Sequence, residues 1–190
     1  TLITGIGQGY TQTTPIQLCL MTAQIANGGY KIKPKILTDD NQLTSEQIIK
    51  ALENSKSNNL YEPLFLNQKN IKIIQNAMFS STNELRGTSY KSRIDDPKYQ
   101  FAGKTGTAQV KRISKREREL DLKTFQIPYK ERDHALYVAF GPYINPRYAL
   151  SIIVEHGGSG STTAAPMAKE LFKLIIDKHQ LRNDYKEFNI

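Results

Sequence analysis

Apolar residues mark five stretches of this chain, and their spacing is not the same in all of them. Ile16, Leu18, Leu20, Met21, Ala23, Ile25 and Ala26 fill nearly every side of a helix. Thr14 suits its N-cap, Pro15 its first position and Gln17 a capping box, while Asn27-Gly28-Gly29 suits a left-handed end. A helix that is apolar all round predicts burial in a core. Ile71, Ile74, Ala77 and Met78 recur at helical spacing and predict a second helix over Asn70 to Phe79. His134 to Gly141 and Tyr148 to Glu155 read as two strands of a hairpin around Pro142 to Arg147. Both strands are apolar on both faces, so helices are expected on two sides of their sheet. A closing helix is expected near Pro166. Its inner side would carry Met167, Leu171, Leu174 and Ile175, and its outer side Lys169, Glu170, Lys173 and Asp177.

The segments between these elements are more polar. Tyr30 to Leu37 suits a short extended piece that Pro34 confines to an edge. Residues 38–63 predict loops around one short helix near Glu46 to Leu52, and Gly87 to Gln100 a connector. His156 to Ser161, with Gly157, Gly158 and Gly160, predicts a flexible loop. No internal repeat is present. With a further strand expected to begin at Phe101, the order of helix, helix, three strands and helix implies an α+β fold, an antiparallel sheet covered by helices.

Length and composition narrow the picture. The 190 residues suit one domain with a real core, and 38% are hydrophobic. No run reaches the roughly 18 apolar residues of a membrane span. A formal net charge of +8 raises the question of nucleic acid. The basic residues are spread along the chain and mixed with acids, and the dense run Lys111 to Arg132 reads as a solvated loop. A nucleic-acid partner is not expected. One cysteine, Cys19, allows no internal disulfide, and with three scattered histidines no zinc spacing exists. Cys19 reads as a small core residue, and neither a metal nor a cofactor is expected.

The chemistry concentrates in Phe101-Ala102-Gly103-Lys104-Thr105-Gly106-Thr107-Ala108-Gln109-Val110. Phe101, Thr105, Thr107 and Val110 favour extended backbone. Glycines on both sides of Lys104-Thr105 mark a strand that something must approach closely. A lysine, two hydroxyls and nearly bare backbone N–H groups can hold a carboxylate and polarise a carbonyl. Gly103-Lys104-Thr105 also ends like a phosphate-binding loop, but that loop needs Gly at position 98, where Lys stands, and a helix afterwards. The nucleotide reading fails on both counts. A dinucleotide site at Gly5 to Gly9 fails as well, because the run is not G-x-G-x-x-G.

Lys104-Thr105-Gly106 matches the K-T-G box of penicillin-binding proteins. Gly7-Gln8-Gly9, then Thr14-Pro15-Ile16-Gln17 and a helix ending Asn27-Gly28-Gly29, also resembles that family, as do Ala139-Phe140-Gly141-Pro142 and the terminal helix. The wording looks most similar to the class B group that includes penicillin-binding protein 2, and the likeness runs over essentially all of residues 1–190. It implies the C-terminal part of one transpeptidase domain. The family cleaves D-alanyl-D-alanine stem peptides through an acyl-serine and passes the acyl group to an amine. By that likeness Lys104 supplies positive potential beside the serine, and the Thr105 and Thr107 hydroxyls hold the substrate carboxylate. Gly106 lets substrate lie along the strand, and the Thr107 N–H forms half of the oxyanion hole. Implied partners are the peptidoglycan stem peptide, β-lactams and cell-elongation proteins. The implied location is the inner membrane, with the catalytic domain on the periplasmic side and any anchor upstream.

One departure is large. The family attacks with the serine of S-x-x-K, and no serine here has Lys three places on. The second box, S-x-N, matches Ser57-Asn58-Asn59 and Ser81-Thr82-Asn83, but both follow the Gly-Gln-Gly helix, whereas the family places this box before it. One lies in a polar loop and the other is expected past a helix end, so both read as coincidence. The start of the chain is expected to be a cut through a larger protein. The alternative is a serine-free module that senses peptidoglycan or β-lactam without acylation. His134 and His156 are assigned no chemistry.

Overall fold

The computed structural model of the chain describes residues 2–5, 7, 9, 12–34, 63–64, 67–111, 119–120 and 122–180. The helices among them are α1 (Leu2–Gly5), α2 (Pro15–Ala26), α3 (Gln68–Asn83) and α4 (Ala165–Gln180). The strands are β1 (Ala102–Ala108), β2 (His134–Gly141) and β3 (Tyr148–Val154), in one antiparallel sheet of order β1-β2-β3. The α+β architecture read from the sequence is therefore present. The expected helix at Glu46 to Leu52 and positions 35–37 of the expected extended piece lie outside the described residues. What is described of that piece makes one isolated bridge, from Tyr30 to Pro63.

The sheet is covered on two sides, as the doubly apolar strands require. Cross-strand partners share a face. Gly103 is opposite Ala139, Thr105 opposite Tyr137 and Thr107 opposite Ala135. Ala135, Tyr137 and Ala139 of that face join Phe101, Ile94 and α4 in one core cluster. On the opposite face Phe140 and Ala102 pack with Met78, and Phe79, Val138, Ile25 and Ala26 border them. Helices α2 and α3 cover this side, linked where Gln75 Nε2 donates to the Ile25 carbonyl at 2.8 Å.

Local capping follows the sequence closely. The Gln17 N–H donates to Thr14 Oγ1, and the Thr14 N–H donates back to Gln17 Oε1 at 2.8 Å. Past the end of α2, Gly28 and Gly29 take positive φ, while Asn27 stays at φ −80° and accepts the Gly29 and Tyr30 N–H groups.

Three expectations are corrected. First, α2 is not enclosed: Thr22 is its buried residue, while Ile16 is 53% and Met21 44% exposed. It lies along β3 and β2, and a helix resting on a sheet hides one side only. Second, α4 is rotated from the expected phase. Ala165, Ala168, Phe172 and Ile176 face the sheet, whereas Met167, Leu171 and Leu174 are exposed. The alanines allow the helix to approach the sheet, and Phe172 stacks on Phe101 at 4.9 Å. Third, Gly157 to Ser161 is tied down. The Gly158 N–H donates to the Asp133 carbonyl at 2.8 Å, Thr163 Oγ1 donates to the Gly157 carbonyl, and Gly160 is buried. A single π-turn, Gly160–Ala164, carries this loop into α4.

Candidate active site on the outer edge of the first strand

The K-T-G residues all lie in β1, at one end of the described sheet order. Three contacts show which way its backbone faces. The Gly103 N–H donates to Thr82 Oγ1 at 3.0 Å, the Phe101 carbonyl accepts from Asn83 Nδ2 at 2.9 Å, and the Thr105 carbonyl accepts from Lys104 Nζ at 2.9 Å. Odd-numbered residues therefore turn their N–H and C=O groups away from β2. By the alternation of a strand, the Thr107 N–H points to the same edge. Side chains of the last turn of α3 cap this edge at Phe101 and Gly103.

Lys104 is exposed and bends along that edge, its ammonium also 3.3 Å from Thr105 Oγ1. Thr105 Oγ1 lies 3.3 Å from Thr88 Oγ1, which in turn lies 3.2 Å from Ser81 Oγ. Hydroxyls and an ammonium thus line one side of an outward-facing row of backbone donors. Gly106 faces Leu136, and a Cβ on Gly106 would stand 3.2 Å from the Leu136 Cβ. Gly160 presses on the same pair of strands: a Cβ there would come within 2.3 Å of the Leu136 carbonyl and 2.6 Å of the Gly106 carbonyl. The Gly-rich loop is therefore a backing for the K-T-G strand.

Matches to known proteins bear on this geometry. Residues 1–173 match the family described as the penicillin binding protein transpeptidase domain. The chain belongs to that family. It is 33% identical over 177 residues to the peptidoglycan D,D-transpeptidase MrdA of Salmonella typhimurium, covering 93% of this chain and 27% of that protein. The MrdA of Acinetobacter baumannii is 35% identical over 176 residues, covering 90% and 24%. Among solved structures, Pseudomonas aeruginosa PBP2 in complex with WCK 5153 superposes with a TM-score of 0.64 at 32% identity, covering 98% of this chain and 36% of that one. Helicobacter pylori PBP2 in complex with MreC gives a TM-score of 0.60 at 30% identity, covering 95% and 27%. This transpeptidase-family chain spans about a quarter of the length of the two curated relatives named.

All four residues proposed from the K-T-G word, Lys104 to Thr107, fall together because they share one strand. Sequence reasoning missed the groups that hold that strand. Ser81-Thr82-Asn83 is not past a helix end; it forms the last turn of α3, and Thr82 and Asn83 bind the β1 edge. Tyr137 looks like ordinary strand core, yet its hydroxyl meets Thr82 Oγ1 at 2.9 Å and Ser89 Oγ at 3.0 Å. Burial pushes the Tyr137 phenol above its ordinary pKa, while its bonds to Ser89 and Thr82 pull the other way. Gly103 makes room for that ring, since a Cβ there would stand 2.4 Å from the tyrosine oxygen. No spacing rule connects these positions; they meet where the end of α3 and the turn after it pack beside Tyr137 and Gly103.

His134 and His156, to which the sequence assigns no chemistry, come together. His134 Nδ1 accepts the His156 N–H at 2.9 Å, and His156 has φ +55°. They fasten the end of β2 to the glycine loop. Cys19 is partly buried, its Sγ 3.4 Å from the Ala149 carbonyl, and burial pushes its thiol pKa up. Among the described residues no acid, histidine and cysteine cluster could hold a metal, and no helix is long and apolar enough to cross a membrane.

Proposed function

We propose that residues 1–190 are the C-terminal portion of the transpeptidase domain of a peptidoglycan D,D-transpeptidase, which cross-links D-alanyl-D-alanine stem peptides through an acyl-serine and is inhibited by penicillin. The observation that carries this reading is the outer edge of β1, with odd-numbered backbone groups turned away from the sheet and Lys104 lying along it. The serine and its S-x-x-K helix belong to another part of the protein, since no serine here has Lys three places on. Lys104 raises the positive potential where a substrate carboxylate must be held and where the attacking serine gives up its proton. The Thr105 and Thr107 hydroxyls donate to that carboxylate. Substrate lies along the edge as an added strand, for which Gly106 leaves room. The Thr107 N–H donates to the oxyanion as the acyl carbon becomes tetrahedral, beside the N–H of the attacking serine.

Location and partners follow from the same reading. The catalytic domain sits on the periplasmic side of the inner membrane, anchored by a segment outside residues 1–190. A cell-elongation partner is proposed because the Helicobacter pylori relative is solved in complex with MreC.

Labelled penicillin tests the reading. The full-length protein is expected to carry a covalent label on a serine outside residues 1–190, and this chain alone to carry none. Thr107→Ala in the full-length protein removes a hydrogen bond to a charged group, worth about 1.5–3 kcal/mol, so acylation slows roughly 10- to 100-fold. A stable adduct on a serine of this chain, or a full-length protein that is never labelled, overturns the proposal.

A further inference from the structure

The strand that is proposed to hold substrate is tied to the body of the protein by a buried chain of hydroxyls. The Gly103 N–H donates to Thr82 Oγ1 at 3.0 Å. Thr82 Oγ1 and the Tyr137 hydroxyl are 2.9 Å apart, and Tyr137 and Ser89 Oγ 3.0 Å apart. Ser89 Oγ donates to the Ser81 carbonyl at 3.0 Å. Thr82, Ser89 and Tyr137 are all fully buried.

The chemistry of the two ends sets the direction of every bond between them. A backbone N–H can only donate and a carbonyl can only accept, while each hydroxyl has one proton to give. With Ser89 donating to Ser81, the Tyr137 O–H donates to Ser89 and the Thr82 O–H to Tyr137. Thr82 then accepts from Gly103. Each proton is used once and each buried hydroxyl is satisfied. Two alternative contacts, Ser89 to Thr82 and Thr82 to the Met78 carbonyl, are longer, both at 3.4 Å. The chain leaves the outer edge of β1 for Thr82 in the last turn of α3, passes through Tyr137 of β2 and Ser89, and returns to α3 at Ser81. It crosses directly over Gly103, where a Cβ would collide with the Tyr137 ring.

We infer that Thr82, Tyr137 and Ser89 are positioning residues that fix the outer edge of the K-T-G strand for acylation. The inference rests on the reading of β1 as the substrate and oxyanion strand. Gly103 adjoins Lys104, and Thr107 is four residues along the same strand. Loss of the relay therefore shifts the donors against the reacting carbon without removing any group that touches substrate. Small displacements of that kind act on the chemical step more than on binding.

The test uses the full-length protein and four forms of it: wild type, Tyr137→Phe, Thr82→Val and Thr82→Ser. Penicillin binding and the acylation rate constant are separated by their concentration dependence, and the Gly103 amide is followed by hydrogen exchange. Tyr137→Phe and Thr82→Val are expected to slow acylation about tenfold while the binding constant stays within about twofold. Thr82→Ser, which keeps the hydroxyl, is expected to acylate within about twofold of wild type. Gly103 exchange is expected to speed up in Thr82→Val and not in Thr82→Ser. Folded Tyr137→Phe and Thr82→Val that acylate at the wild-type rate overturn the positioning role. Wild type that takes no label defeats the catalytic reading separately, and in that case unchanged Gly103 exchange in Thr82→Val overturns the relay itself.

Discussion

Single residues here work through what surrounds them, and Tyr137 shows this most clearly. Its ring fills the space that Gly103 leaves, and its oxygen satisfies two other buried hydroxyls. Desolvation raises its pKa, so the folded protein holds the phenol proton at pH values where an unfolded chain, with a tyrosine pKa of about 10, releases it. The linkage sign follows. Below the unfolded pKa both states keep the proton and the contribution is intact; it is lost as pH rises from there through the raised folded value. Stability measured by denaturant unfolding is therefore expected to fall above about pH 10. In Tyr137→Phe this alkaline component should be absent, while stability at neutral pH drops by about 1–3 kcal/mol for the partners left unsatisfied. Equal alkaline slopes in wild type and Tyr137→Phe would show that the buried phenol is not their source.

At the level of elements, the backing of β1 by the glycine loop makes a second prediction. Gly160 meets backbone on two strands, and neither carbonyl can move without loosening the ladder between Gly106 and Leu136. Gly160→Ala is expected to lift the π-turn off the sheet and to cost about 1–3 kcal/mol, the range for overpacking a tight site. Hydrogen exchange at the β1–β2 ladder should rise; an unchanged ladder with unchanged stability would mean that the turn is dispensable backing. The same elements show what could be read from the sequence. The α2 cap was legible because Thr14, Pro15 and Gln17 act over a single turn. The three-stranded core was legible because His134 to Gly141 and Tyr148 to Val154 are apolar on both faces. The phase of α4 was not, because the pattern weighs large side chains, whereas the sheet takes Ala165 and Ala168. The K-T-G word marked the candidate strand, but Thr82 and Ser89 were invisible: their partners Tyr137 and Gly103 are distant in sequence and meet them only through tertiary packing around a missing Cβ.

For the molecule as a whole, the apolar surface left uncovered sets the last prediction. On one side of the sheet α2 exposes Ile16 and Met21, and on the other α4 exposes Met167, Leu171 and Leu174. The α4 residues recur at four- and three-residue spacing and so form one stripe along the helix. Contiguous apolar patches of more than a few hundred Å² are uncommon on monomers and mark contact surfaces. Burial stabilises by about 25 cal/mol per Å², so pairing two such stripes brings several kcal/mol before the cost of association. The net charge of +8 opposes this, but salt screens it to within about 10 Å at 0.1 M. The isolated 190-residue chain is therefore expected to self-associate, with a sedimentation coefficient that rises with concentration and with added salt. Leu171→Lys together with Leu174→Lys places charge in the α4 stripe on the side away from Phe172 and Ile176, so the core contacts are kept. That variant should sediment as a smaller species at the same concentration and melt at a similar temperature. If wild type stays monomeric at high salt, the exposed stripes are too small or too divided to drive association. If both proteins associate equally, the contact lies elsewhere, and the α2 face with Ile16 and Met21 becomes the surface to charge next.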